Sequence, residues 1–262
     1  MLADSFTIEQ SHTPTVISVR DNGGNYAFQF DAHPLNFCNK PLFPEWNEKN
    51  LKGRQVEFHN GEAFVKIGNS LVNHRQLLAR NGYVYAPNEV NAIVMAAAER
   101  QGEWACASKD AVFALLIRDK AKARAIASIA MNESQYGGYP WPWTLNIEGK
   151  SYYFKSKEQA YEALKKAVNA GRISIDIGIC QVNWLYHSKR FQSLWDALDP
   201  AKNIAVSDAI LTELYERYRN WAKAIACYHN CSDPVRGANY VNQYIKNWND
   251  VTKSKGSENA NS

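Results

Sequence analysis

The chain has 262 residues, of which 45% are hydrophobic and 21% charged, as is typical of a globular protein with one large or two ordinary domains. No stretch is apolar for long enough to cross a bilayer, which excludes a membrane span. The net charge of +4 suits an anionic polymer as partner without identifying one. The first residues, 1–6, lack the basic run and apolar core of a secretory signal, although a processed signal replaced by a start Met also fits.

The five cysteines are too few for a disulfide scaffold, and their odd number leaves at least one of them outside any intramolecular bridge. One or two bridges are plausible, and the candidate pairs are Cys227 with Cys231 and Cys38 with Cys106. Zinc is not expected, because His229 beside Cys227 and Cys231 has no second cluster of ligands elsewhere in the chain. We therefore expect neither a metal nor a cofactor.

The first part of the chain alternates short apolar runs with turn residues. Residues 15–19 and 26–30 flank a Gly-rich turn, and residues 54–58 and 63–67 flank an Asn-Gly turn, which predicts two hairpins. Helices are predicted at 72–80, closed by Asn81-Gly82, and at 88–100. This part is therefore predicted to be β-rich.

After Trp104 the pattern changes to long segments with helical spacing of apolar residues. The aromatic loop 136–143 interrupts them and cannot be helical, because of its prolines and glycines. The predicted fold class is α+β, with a β-rich domain at 1–106, a mainly helical domain at 107–252 and a disordered polar tail at 253–262. The predicted helices of the second domain are 111–117, 121–131, 157–170, 204–218 and 221–228.

Glu133 ends an apolar helix and is followed by the aromatic loop. Such a position would partly desolvate the carboxyl group, raise its pKa and keep it protonated as a general acid. A solvated glutamate at a helix end is the alternative, and for Glu133 in isolation it is the commoner case.

Two further segments carry polar groups in a suggestive order. In residues 176–184, Gly178 permits close backbone approach, and Gln181 and Asn183 point the same way if the segment is extended. In residues 221–230, Tyr228 at a helix end could place its hydroxyl on Glu133, although an aromatic residue there is more often core. Asn203 between them is interpreted as the cap of the next helix.

These segments together resemble the motifs of the soluble lytic transglycosylase family, in order and spacing. The resemblance covers about residues 110–250 and implies a lysozyme-like, mainly helical catalytic domain. The loop 140–143 and residues 182–184 are more specifically similar to transglycosylases of conjugation and type IV secretion systems. The residues that carry the resemblance are Glu133-Ser134, Gly178-Ile179-Cys180-Gln181, Asn203-Ile204 and Ala226-Cys227-Tyr228-His229-Asn230.

Two residues depart from the family pattern. Family members usually have Met where Cys180 stands, and Cys is a similar apolar filler. They commonly have Asn where His229 stands. His229 could contact substrate or sense pH, or it is a tolerated surface substitution.

The resemblance implies a mechanism with one carboxyl group. Glu133 would protonate the glycosidic oxygen that follows N-acetylmuramic acid and then deprotonate the C6 hydroxyl of that sugar, giving a 1,6-anhydro ring. Tyr228 would hold the carboxyl group. Of other acids, only Asp176 and the loop residue Glu148 accompany the motifs, whereas two-carboxylate glycosidases need a second acid nearby. The expected substrate-binding residues are Ser134, Gln181, Asn183, His229 and Asn230, with stacking faces from Tyr136, Tyr139, Trp141, Trp143 and Trp184.

The first domain has its own, more diffuse resemblance. Residues 51–56, 69–73, 81–85 and 97–104 resemble the closing half of a staphylococcal-nuclease-like OB barrel. Residues 1–50 lack the catalytic segments of that family, so the resemblance implies a binding or docking barrel rather than a nuclease.

The expected function is therefore cleavage of peptidoglycan glycan strands, in the periplasm or cell envelope, to open the wall for a conjugation or secretion apparatus. The alternatives are a hydrolytic muramidase and a non-catalytic wall-binding or secretion-scaffold protein. A nucleic-acid-binding module is a further alternative, but only the first domain and the net charge of +4 favour it. The expected partners are glycan strands and secretion proteins, and not nucleic acid.

Overall fold

A computed structural model of the protein describes residues 6–254, which divide into two compact units, one ending at Ala107 and the other formed by Ser108–Ser254. The first unit is β-rich and the second mainly helical, which confirms the predicted α+β class. Of the predicted tail, residues 255–262 lie outside the described residues. Lys253 and Ser254 follow the last helix, and the Lys253 amide donates to the Asp250 carbonyl.

The first unit is built on a six-stranded antiparallel sheet with the order β3-β2-β1-β5-β6-β7. Both predicted hairpins are present, as β2–β3 and β5–β6. Asn60 and Gly61 have φ angles of 50° and 79°, as the tight turn between β5 and β6 requires. The elements are β1 (Phe6–Thr13), β2 (Val16–Asp21), β3 (Gly24–Gln29), β4 (His33–Pro34), α1 (Phe43–Asn50), β5 (Gln55–His59), β6 (Glu62–Ile67), β7 (Ser70–Asn73), α2 (His74–Arg80), β8 (Val84–Tyr85) and α3 (Val90–Ala98).

A buried carboxylate and a disulfide close this unit. Glu103 is 1% exposed, and its carboxylate accepts hydrogen bonds from the backbone amides of Phe37, Cys38 and Leu42 at 2.9–3.0 Å. Cys38 is bonded to Cys106, which confirms that candidate pair. The likeness to an OB barrel stays a prediction.

His74 gives the first unit a pH-dependent stability. Its side chain is 2% exposed at the start of α2, and neither ring nitrogen has a hydrogen-bond partner within the described residues. Burial lowers the pKa of His74 from 6.5 to about 4. Because the folded pKa lies below the unfolded one, the stability is complete above pH 6.5 and is lost as the pH falls from there towards 4, by about 3 kcal/mol.

We therefore expect protonation of His74 to lower the free energy of unfolding, measured with urea, by about 3 kcal/mol between pH 6.5 and 4, in addition to the pH dependence that other groups such as Glu133 contribute. His74→Leu should remove most of this slope, whereas His33→Gln, at an exposed position, should retain it. An unchanged slope in His74→Leu would assign the acid sensitivity to other groups.

The second unit combines helices with a four-stranded antiparallel sheet of the order β12-β11-β13-β14. That sheet and the helix α11 were absent from the prediction. The elements are α4 (Ala111–Leu116), α5 (Lys120–Glu133), β9 (Gln135–Tyr136), β10 (Tyr139–Pro140), β11 (Thr144–Ile147), β12 (Lys150–Tyr153), α6 (Lys157–Asn169), β13 (Ile175–Ile177), β14 (Val182–Asn183), α7 (Trp184–His187), α8 (Leu194–Ala197), α9 (Pro200–Tyr218), α10 (Trp221–His229) and α11 (Pro234–Asp250).

The core of this unit lies around α5. Ile126, Ile129 and Ala130 on α5 are completely buried, and α5 packs against α11, α9 and α4. Burial of one face of α5 fixes the position of its last residue, Glu133. Glu133 therefore lies at the edge of the core, at the end of a helix that is held in place by packing.

Candidate active site

Glu133 is the last residue of α5, and its side chain is 16% exposed. The Tyr240 hydroxyl, from α11, donates a hydrogen bond to Glu133 Oε1 at 2.6 Å. Burial raises the pKa of Glu133 to about 7, the hydrogen bond from Tyr240 opposes this rise, and the nearby charge of Asp176 adds to it. The direction of this shift agrees with the raised pKa expected from the sequence. A carboxyl group with this pKa can donate and accept a proton at neutral pH.

A cleft of about 820 Å³ opens beside Glu133. It is about as large as the pockets that hold extended small ligands. Its walls include Asp176 and Asn183 from the sheet, Gln181 from the loop between β13 and β14, and Tyr228 and His229 from α10. Residues predicted from separate segments of the sequence therefore meet in one cleft.

Two residues contact Tyr240, one at its ring and one at its backbone carbonyl. The His229 ring stacks on it with a centroid distance of 4.7 Å and an interplanar angle of 4°, and the Asn132 side chain donates to the Tyr240 carbonyl at 3.3 Å. Nδ1 of His229 is 3.9 Å from Oε1 of Glu133. Burial lowers the pKa of His229, which favours the neutral ring at neutral pH. Tyr240 was not predicted from the sequence.

Tyr228 does not hold Glu133, so this part of the prediction is wrong. Its hydroxyl donates to the Cys180 carbonyl at 3.0 Å and lies 2.9 Å from Ser207 Oγ. The single proton of the Tyr228 hydroxyl is thus donated to a backbone carbonyl. The hydroxyl that bonds to the Glu133 carboxyl group is that of Tyr240, on α11. Tyr228 supports the loop that carries Gln181.

Asn203 organises that loop instead of capping a helix. Its Oδ1 accepts from the Cys180 amide, and its Nδ2 donates to the carbonyls of Ile177 and Ala197. The cap of α9 is Asp199, whose side chain accepts from the Lys202 amide. A Cβ on Gly178 would lie 2.7 Å from Asn203 Nδ2, and the φ angle of Gly178 is +81°, so only glycine fits there.

Gln181 and Asn183 both line the cleft, but the segment between them is not a simple extended strand. Gln181 has a φ of 49°, and its Nε2 donates to the carbonyls of Thr144 and Gly178 at 3.1 and 2.8 Å. Asn183 Nδ2 donates to Asp176 Oδ1 at 2.7 Å, and Asn183 Oδ1 caps α7. These bonds occupy most of the amide groups that were expected to bind a sugar.

The comparison with protein families decides the class of this unit. Residues 147–255 match the family model described as transglycosylase SLT domain. This segment is a transglycosylase SLT domain. The match contains Gln181, Tyr228 and Tyr240, whereas Glu133 precedes it in the chain. No curated protein and no solved structure matches the chain.

The SLT domain indicates that the protein is a lytic transglycosylase, and that its substrate is peptidoglycan. Enzymes of this family act on peptidoglycan outside the cytoplasm. No helix within residues 6–254 is long and apolar enough to cross a membrane. The same residues contain no group of three side chains suited to hold a metal ion.

Three residues expected to bind substrate are buried in the second unit, before the segment that matches the SLT model. Ser134 is completely buried and donates to the Ile179 carbonyl at 2.6 Å, so it ties α5 to the Gly178–Gln181 loop. Trp141 and Trp143 are 9% and 7% exposed, and Trp141 donates to the Phe154 carbonyl. The prediction that these two tryptophans offer stacking faces to a sugar is therefore wrong, because their indole rings are buried in the core.

The other predicted aromatic residues remain accessible. Tyr136 is 52% exposed, Tyr139 is half-buried, and Trp184 is half-buried and stacks on Phe191. Because an accessible ring face is needed for a sugar to stack, these residues, unlike the two buried tryptophans, remain stacking candidates.

A second disulfide borders the cleft of the SLT domain. Cys227 and Cys231 are bonded, which confirms the other candidate pair and leaves Cys180 as a buried free thiol. The bridge encloses Tyr228, His229 and Asn230. Asn230 Oδ1 accepts from the amides of Ser232 and Asp233, so Asn230 shapes the turn after α10 and lines the cleft at the same time.

Proposed function

We propose that the protein cleaves the bond between N-acetylmuramic acid and N-acetylglucosamine with formation of a 1,6-anhydro ring, and that Glu133 is the acid of the first step and the base of the second. The observation that carries this proposal is the buried Glu133 carboxyl in the cleft, with a pKa of about 7 and a hydrogen bond from Tyr240. The SLT domain supports it by indicating a lytic transglycosylase.

In the first step the Glu133 proton passes to the glycosidic oxygen as the bond from that oxygen to C1 of the muramic acid breaks. In the second step the C6 hydroxyl of the same sugar attacks C1, and its proton passes to the Glu133 carboxylate. Glu133 ends as it began, and no water is consumed. Tyr240 acts as a positioning residue, because its hydroxyl orients the carboxyl group in both protonation states.

The position of Asp176 favours a second candidate function, that of a hydrolytic muramidase. It lies in the same cleft as Glu133, where a carboxylate could activate water. However, burial raises the pKa of Asp176, and Asn183 occupies its Oδ1. Glu148, the other acid near the motifs, pairs with Arg172 at 3.7 Å in a loop and does not line the cleft.

Mass spectrometry of muropeptides released from purified sacculi separates the two functions. We expect products that end in 1,6-anhydro-N-acetylmuramic acid, lighter by one water than the hydrolytic products. Asp176→Asn should reduce release without changing the product. Products that carry the additional water, together with their loss in Asp176→Asn, would show that the enzyme is a muramidase.

We also propose that the protein acts in the periplasm, where it opens the wall for a conjugation or secretion apparatus. Two disulfides support an oxidising compartment, since such bonds persist there and are rare in the cytosol. The loop 140–143 and residues 182–184 resemble transglycosylases of those systems. The non-catalytic scaffold is disfavoured because the Glu133 side chain is mostly buried and has the pKa of an acid catalyst.

A further inference from the structure

The four-stranded sheet of the second unit has one polar and one apolar face. Asn146 pairs with Ser151 on one side and with Asp176 on the other, and Asp176 pairs with Asn183. These four side chains form a row across the four strands, because directly paired residues share a face. The adjacent residues Leu145, Ile177 and Val182 form the opposite row and are at most 2% exposed.

The polar face continues the cleft. Asn146, Asp176 and Asn183 line the cleft together with Glu133, and Ser151, further along the row, is exposed. Tyr153 follows Ser151 by two residues on β12, so its side chain lies on the same face. From Asp176, β12 is two strands away, which is about 10 Å. The polar face thus leads from Glu133 outward to Tyr153.

Tyr153 stacks on Tyr136 with a centroid distance of 4.9 Å and an interplanar angle of 28°. The two residues remain 40% and 52% exposed, although large aromatic residues gain by burial. The buried Trp141 ring packs edge-on against Tyr136, with a centroid distance of 5.2 Å. Tyr153 and Tyr136 together form what we call the aromatic ledge.

The aromatic ledge lies close to the acid. Tyr136 follows Glu133 by three residues, so their Cα atoms are at most about 11 Å apart. A glycan strand bound at Glu133 can therefore reach the ledge within a few sugar rings. Along that path it passes hydroxyl and amide groups of Ser151 and Asn146, which can hydrogen-bond to a sugar.

We propose that the aromatic ledge binds a sugar ring of the same glycan strand, remote from the bond that is cleaved, and so gives the enzyme a preference for long strands. The inference rests on the proposed function. The apolar C–H face of a pyranose ring covers the exposed aromatic surface, while its hydroxyls stay in contact with water and with the polar row. Short fragments that fill only the cleft beside Glu133 gain nothing from the ledge.

Binding is measured with peptide-free glycan strands and with short glycan fragments, each added to Glu133→Gln protein so that turnover does not interfere. We expect Tyr153→Ala and Tyr136→Ala each to weaken binding of the long strands about tenfold and to leave binding of the short fragments unchanged. Tyr153→Phe, which keeps the ring, should bind like the parent. Trp221→Ala is the matched control, because Trp221 is also 51% exposed and stacked on a tyrosine but does not line the cleft.

Unchanged binding of long strands in both alanine variants, or equal loss for long and short glycans, would overturn the role of the ledge. The proposed function is tested separately, by the release of anhydro products from sacculi by otherwise wild-type protein. If that release is absent and the length-dependent loss persists, the mechanism fails and the binding role of the ledge remains. If release is normal and the variants bind like the parent, only the ledge fails.

Discussion

Glu133→Gln is expected to lower the release of anhydro-muropeptides from sacculi about a thousandfold, because an amide cannot donate the proton that the leaving oxygen needs. The substitution keeps the size of the side chain and can still accept the Tyr240 hydrogen bond. The measurement is the rate of product release near pH 6, where Glu133, with a pKa of about 7, is mostly protonated.

Stability distinguishes a chemical loss from misfolding. Burial raises the pKa of Glu133 from 4.5 to about 7, so stability is lost as the pH rises from 4.5 to 7, and at higher pH the wild type keeps this full penalty, which glutamine avoids. We expect Glu133→Gln to unfold at a higher temperature than wild type at pH 8. Glu148→Gln, in the exposed loop, is the matched control and should release products at the wild-type rate. Normal release by Glu133→Gln would remove Glu133 from the mechanism.

Tyr240→Phe is expected to reduce turnover by about tenfold and to move the alkaline limb of the pH profile upward. The tenfold loss corresponds to a hydrogen bond to a charged group. Since Glu133 acts as an acid, the rate falls as the pH rises through its pKa. The Tyr240 hydroxyl lowers that pKa, so its removal raises the pKa and extends activity to higher pH.

The rate of anhydro-product release, measured from pH 5 to 9, tests this expectation. Tyr228→Phe is the control, because the Tyr228 hydroxyl bonds to the Cys180 carbonyl and Ser207 instead of Glu133. Its alkaline limb should stay in place even if the rate falls. A limb that moves in Tyr228→Phe and not in Tyr240→Phe would restore the pairing first expected from the sequence.

Much of the fold could be predicted, because its signals are local. Alternating apolar residues around Asn60-Gly61 predicted one hairpin, and apolar spacing predicted the helix that ends at Glu133. The strands β11 to β14 were missed since each is at most four residues long, too short for a periodic pattern. The helix α11 was also missed, although Pro234 after the capping residue Asp233 is a start signal.

The site was harder to predict because its contacts join distant segments. Order and spacing of the motifs predicted the family, and the SLT match confirms it. The sequence did not reveal which tyrosine bonds to Glu133. Tyr228 and Tyr240 both lie near this residue, and only their three-dimensional positions decide which hydroxyl reaches its carboxyl group. Tyr240 and Tyr244, with Gly237 and Asn247, follow a helical spacing and are buried, a signal that would have placed Tyr240 against α5. The individual substrate-binding roles stay predictions.

The two disulfides do different physical work. Cys38–Cys106 closes a stretch of 68 residues and Cys227–Cys231 one of four, and in the chain-entropy description these loops contribute about 4 and about 2 kcal/mol to stability. The long bridge therefore acts mainly on the unfolded chain, by limiting its conformations. The short bridge restrains little of the unfolded chain but encloses Tyr228, His229 and Asn230, so its effect falls on the shape of the folded cleft. Each bridge also lies within one unit, so either unit can complete its oxidation without exchanging partners with the other.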